Sequence, residues 1–200
     1  MGLISNGTTL LDAGALDSGI ATGSIALLAT STVSNAATID FTSDINSTYE
    51  KYVFKFINIH PVNDDVTFQF QVEEGTNTGY NNYITSTMFR GTHGEDGSSG
   101  GLAYLTGGDQ AQGTAFQPLA SSVGNDADQN LVGYLDLYNP SSTTFTKHFI
   151  GEFQSIAHSN RSNHQFPAGY VNMTAAITRV RFKFSGGNID TGTIKMYGVS

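Results

Sequence analysis

The chain has 200 residues, enough for one domain with a sizeable core. Its 9 Lys and Arg against 17 Asp and Glu leave a formal net charge of −8, which excludes a partner held by clustered cations, such as duplex DNA or RNA. It has no cysteine, so a disulfide framework and a thiolate metal site are excluded, and its low charged fraction of 13% with 13 Phe and 9 Tyr suits a turn-rich β-protein with an aromatic core.

The opening MGLISNGTTLLDAGALD lacks the basic stretch and continuous apolar run of a secretory signal. Synthesis and folding in a cytoplasm are therefore expected. No segment approaches the ~18 apolar residues that mark a membrane-spanning helix. Residues 1–35 are rich in Gly, Ala, Ser and Thr with scattered Leu and Ile, and they hold no aromatic residue. The glycines break any helical period. This stretch is expected to be an extended N-terminal arm that orders against neighbouring subunits, with SIALLAT able to add as an edge strand to another sheet.

The texture changes near Ala37. A short strand is predicted at Ile39–Phe41, then a strong one in which Tyr52, Phe54 and Phe56 share a face. His60-Pro61 and Asn63-Asp64-Asp65 form a turn. VTFQFQV follows with Val66, Phe68, Phe70 and Val72 inward and Thr67, Gln69 and Gln71 outward, so the two strands read as an antiparallel hairpin. After the loop EEGTNTGYNN, NYITSTMFR is a strand candidate. Residues 91–130 read as a long loop region, with a short helical turn near 119–123.

LVGYLDLYNP places Leu131, Leu135 and Leu137 on one face. TTFTKHFIGEFQSIAH is the longest predicted strand, with Phe145, Phe149 and Phe153 on one face. HSNRSNHQFPAGY reads as a loop. YVNMTAAI, TRVRFKF and TIKMYGV complete the set, and the last two read as a hairpin around Gly186-Gly187-Asn188. With roughly nine or ten strands, no convincing helix and no βαβ alternation, the expected fold is all-β: an antiparallel two-sheet sandwich, jelly-roll-like, over residues 36–200, preceded by the extended arm.

Chemistry is sparse. The five histidines, His60, His93, His148, His158 and His164, sit in no metal-binding helix motif, although His158 and His164 could join a third ligand. Asp126, Asp128 and Asn130 have calcium-loop spacing, but Leu131 stands where the sharp-turn glycine belongs and no bidentate acid follows. The adjacent acids Asp64-Asp65 and Glu73-Glu74 point to opposite faces if extended, so neither is a convergent dyad. The alternating Arg179, Arg181 and Lys183 read as a solvated strand face. No nucleophile elbow, phosphate loop or dinucleotide fingerprint occurs. No catalytic, metal or cofactor residue is assigned, and no cofactor is expected.

Several stretches resemble virion-associated structural proteins of tailed bacteriophages, particularly marine ones. They are LISNGTTLLDAGAL, IDFTSDINSTYEKYVFKFINIHP, LTGGDQAQGTAF, YNPSSTTFTKHF and FKFSGGNIDTGTIKMYG. The likeness spans nearly the whole chain, but its motifs are strand and turn signatures. It implies a non-enzymatic part of the virus particle: a capsid decoration protein or a short head or tail appendage, assembling through its N-terminal arm. The expected partners are other virion proteins and copies of the chain itself, in a homotrimer, without nucleic acid or membrane insertion. The alternative is a carbohydrate-binding receptor module of a tail fibre, in which Tyr80, Tyr83 and Tyr104 in the loops would stack on host-surface glycan. A polysaccharide hydrolase would need two carboxylates facing each other at roughly 5–10 Å.

Overall fold

A computed structural model describes residues 24–200 and, before them, the backbone of three short strands: β1 (Leu3–Ser5), β2 (Thr8–Asp12) and β3 (Ala15–Leu16), which pair in the order β1-β2-β3. Every side chain before Ser24 lies outside the described residues, and so does the corresponding part of the expected arm. The described chain is all-β and antiparallel, without a helix, and its main sheet curls into a nearly closed barrel.

The strands follow the two-residue period. β4 (Ile25–Ala36) and β5 (Ile39–Phe41) lead into β6 (Lys51–Pro61), where Tyr52, Phe54 and Phe56 are buried. β7 (Val66–Glu74) buries Val66, Phe68, Phe70 and Val72. β8 (Ile84–Gly94), β9 (Gly100–Tyr104) and β10 (Gln117–Val123) follow, then β11 (Leu131–Tyr138), with its three leucines inward. β12 (Lys147–Ala157), β13 (Arg161–Val171), β14 (Ile177–Phe184) and β15 (Ile189–Val199) complete the chain.

Pairing is mostly non-local. The main path is β4-β15-β6-β11-β12-β10-β7-β14-β5, and β13, β8 and β9 extend it sideways from β12. The bond between its two halves is slight. β12 meets β10 only at Val123 and Ala157, whereas it pairs with β11 from Leu131 to Leu137. The halves are held instead by aromatic side chains that meet across the interior, such as Phe56 with Phe68 and Phe54 with Phe182.

The structure differs from the sequence reading at several places. Residues 25–35, expected in the arm, belong with Ala36 to β4, which pairs with β15 of the same chain from Ile25↔Val199 to Ala36↔Ile189. Its uncharged, branched residues favour a strand, and β15 offers a free edge. The expected hairpin β6–β7 does not form. β6 pairs with β15 and β11, whereas β7 pairs with β10 and β14, so the exposed turn at Asn63-Asp64-Asp65 carries the chain from one half of the sheet to the other and lets both aromatic faces meet. The same holds at the end of the chain, where β14 pairs with β7 and β5 and β15 pairs with β4 and β6. Residues 119–123 are strand, with Leu119, Ala120 and Val123 buried.

Finally, most of HSNRSNHQFPAGY is β13, paired on both sides, to β12 and β8. Pro167 cannot donate to a ladder, and the β12–β13 register is interrupted opposite it, between Ile150↔Ala168 and Phe153↔Gln165. Within 91–130, the structure holds the end of β8, β9 and β10. The segments between them are tied down by amide side chains: buried Gln117 bonds to Gly108 O and accepts from Ser86 Oγ, and buried Gln71 bonds to Asn82 O. Gln71, expected outward, is thus covered by this insertion.

Candidate functional site

Along β11, β12, β13 and β8, inward positions carry the core and alternate positions face out. A solvated sheet face is ordinarily polar. Here one row across it is aromatic. Tyr134 on β11 stands beside Glu152 on β12; one strand further, Phe166 on β13 pairs with Phe89 on β8, and Phe89 with Tyr104 on β9. The row crosses five adjacent strands and stays open: Tyr134 is 37% exposed, Phe89 44% and Tyr104 54%. Phe89 and Phe166 are stacked, with centroids 4.7 Å apart and planes at 16°. The His164 ring lies 4.3 Å from that of Phe166.

Carboxylates border the rings. Glu152 accepts from Tyr134 Oη at 3.0 Å, and its other oxygen lies 2.8 Å from His164 Nε2. Asp109 accepts from Tyr104 Oη at 2.6 Å. These bonds push both phenols above the ordinary tyrosine value, first through the hydrogen bond itself, so each remains a protonated donor at neutral pH.

Two depressions flank the row. One, of about 640 Å³, is bounded by Tyr138, His148, Ile150, Ala168, Tyr170 and Thr87. Its walls are mostly apolar, and the His148 and Tyr170 rings lie 6.1 Å apart. The other, of about 180 Å³, lies between Val132, Tyr134, Glu152, Gln154 and His164. Such a surface can stack flat apolar faces and accept hydrogen bonds from hydroxyl groups.

The other residues singled out in the sequence do not join this row. His60 lies near Asp190, Nδ1 to Oδ2 at 3.3 Å, and near the Asp126 carbonyl. His158 pairs with Asp65 at 3.1 Å, away from His164, which pairs with Glu152. His93 is exposed on β8. Asp126 accepts from Gln129, and Asp128 is exposed. Among the described residues, no three His, Asp or Glu side chains converge to hold a metal ion. Buried Glu73 accepts from Tyr80 N at 2.7 Å and from Asn82, while Asp64 accepts from Asn125 N.

The basic stripe is covered rather than solvated. Arg181 forms a two-pronged pair with Asp40, at 2.7 and 2.6 Å, and its guanidinium lies 4.1 Å from the centre of the Tyr80 ring. Lys183 lies 4.9 Å from that of Phe116, and Arg179 donates to Gly75 O. Tyr80 is consequently buried, while Tyr83 is exposed and Tyr104 is the one of the three tyrosines on the aromatic row. The sequence alone does not reveal the row, because the segment that forms β13 has the look of a loop. The signal was the alternation of His164, Phe166, Ala168 and Tyr170 with Asn163, Gln165 and Pro167, hidden by the proline and by polar inward residues. Comparison of the chain with protein-family models, curated proteins and solved structures returned no match.

Proposed function

We propose that this protein is a non-enzymatic structural component on the surface of a bacteriophage particle, a capsid decoration protein or a short head or tail appendage, with a jelly-roll fold. The strand order supports the fold. In this reading the runs β4-β15-β6-β11 and β10-β7-β14-β5 of the one curled sheet stand for the two four-stranded sheets of a jelly roll, and the chain passes between the runs at β4→β5, β5→β6, β6→β7, β10→β11 and β14→β15. That alternation is what two Greek keys rolled together produce, an architecture used by viral capsid and lectin domains. Strands β8 and β9 and strands β12 and β13 are insertions that pair with one another and widen one sheet.

The observation that carries the assembly reading is β4. It is a sheet edge of twelve residues, IALLATSTVSNA, with one bulge at Leu28 but no charge and no proline, and Ile25 and Leu27 are exposed on it. Among the described residues, nothing pairs with its outer side. Folded monomers ordinarily blunt so long an edge with lysine or proline as well, because free N–H and C=O groups template another strand. The partner is a copy of this chain or another particle protein. Copies of the chain would close into a ring about a rotation axis, and a homotrimer is the ring proposed.

The test is sedimentation of the purified protein beside Leu27→Lys/Thr30→Lys/Thr32→Lys, three exposed positions on this edge, together with electron microscopy of intact particles. An oligomer that the three lysines dissociate, and density for the protein on the particle surface, support the reading. A wild-type monomer with no density on the particle overturns it.

A further inference from the structure

We propose that the outward row Tyr134–Glu152–Phe166–Phe89–Tyr104 binds a neutral saccharide. This site stands whether or not the chain belongs to a particle, because it rests on the row's own chemistry. A pyranose presents a flat face of C–H groups and a rim of hydroxyls. The first needs exposed aromatic surface, supplied by Tyr104 and by Phe89, one face of which is stacked on Phe166. The second needs acceptors at the border of the rings, and ionised carboxylates are the strongest. Glu152 and Asp109 stand there, each held by a tyrosine hydroxyl, and Glu152 also by His164.

The acceptors are therefore oriented before any ligand arrives, and the row sits on paired strands rather than on loops, which lowers the ordering cost of binding. The two depressions on either side give a chain of sugars somewhere to continue. The alternative occupant is a second protein copy. Its dry centre would bury Glu152 and Asp109, and interface cores are depleted of such residues because desolvating a carboxylate is costly. A polyhydroxylated ligand satisfies them directly. Charge selects the neutral class, since the protein carries −8 overall and the row brings together the carboxyl groups of Glu152 and Asp109 with no Lys or Arg among its members.

The sequence reading placed sugar contacts in loops at Tyr80, Tyr83 and Tyr104. The geometry moves them to the sheet face, keeping only Tyr104. The experiment is an NMR titration of the full chain at millimolar maltotriose, cellotriose and mannotriose, with sialyllactose as the anionic probe. Support is a shift of the Phe89, Tyr104 and His164 signals by at least one neutral probe, weakened about tenfold by Tyr104→Ala and several-fold by Glu152→Gln, with Tm unchanged in both. Three results overturn the proposal: no neutral probe moves the row, sialyllactose binds more tightly than all of them, or the signals move with protein concentration alone. Tyr104 lies on an exposed edge strand, and the isosteric Glu152→Gln gives a second reading should Tyr104→Ala disturb β9.

Discussion

The ring of Phe182 on β14 meets that of Phe56 on β6 edge to face, centroids 5.0 Å apart and planes at 75°. These strands belong to opposite halves of the curled sheet. Phe182 also contacts Phe41, Phe54, Phe68 and Phe70, so it sits where the two aromatic faces converge. Phe182→Ala should lower the unfolding free energy by about 3–5 kcal/mol, through lost burial and a cavity that rigid neighbours cannot fill. Phe145→Ala is the contrast. Phe145 is 69% exposed, and its truncation should change stability by less than about 0.5 kcal/mol. Urea denaturation of both variants checks the difference.

The crossing between β14 and β15 depends on one glycine of a pair. Gly187 has φ +71°, and a Cβ there would lie 2.7 Å from Asn63 Cγ in the neighbouring crossing turn. At Gly186 nothing lies nearer than 3.7 Å. Gly187→Ala should therefore cost about 1–2 kcal/mol, combining left-handed strain with the contact. Gly186→Ala should be close to neutral. Thermal melts of the two variants should separate by several degrees, and equal melts would refute the assignment.

Arg181 joins β14 to β5 through Asp40 and covers Tyr80. The planar guanidinium makes both contacts at once, which an ammonium cannot do. Arg181→Lys should lose about 1 kcal/mol of stability. A double-mutant cycle with Asp40→Asn should show positive coupling, and additive losses would mean that the pair acts independently.

Lys147 is buried on β12, where its Nζ donates to the carbonyls of Met173 and Thr174 at 3.2 and 2.8 Å. Burial pushes its ammonium below the ordinary lysine value. Between the folded value and the ordinary one of about 10.4, the unfolded chain binds more protons, so stability contributed at this position rises with pH through that window. Below the window, both states are charged and the cost of burying the charge is present in full. Urea denaturation from neutral to alkaline pH should show the wild type gaining on Lys147→Met as pH rises. A constant difference would contradict the assignment.

How much of this was legible in the chain can be judged from particular strands. Tyr52/Phe54/Phe56 and Phe68/Phe70/Val72 announce both strand and inward face, because alternation is a local property of the extended backbone. β13 does not. Its inward residues are Asn163, Gln165 and Pro167, and their burial is tolerable only because neighbours satisfy them; Gln165, for example, accepts from the backbone and hydroxyl of Ser121. Those partners lie more than forty residues away, so no local pattern reveals them. The candidate site suffered most from this, since Phe166 lies at its centre.

Composition and periodicity alone determined that the chain builds antiparallel strands around phenylalanine, and which side chains point inward on the strongest of them. Tertiary structure decided which strands are neighbours. An inward face is equally buried whether a turn returns the strand beside its predecessor or carries it to the other half of the sheet. Only the summed packing of distant aromatics favours crossing at Asn63-Asp64-Asp65 and at Gly186-Gly187. The same long-range choice aligned Tyr134, Phe166, Phe89 and Tyr104, residues up to 77 positions apart in the chain, into one surface row.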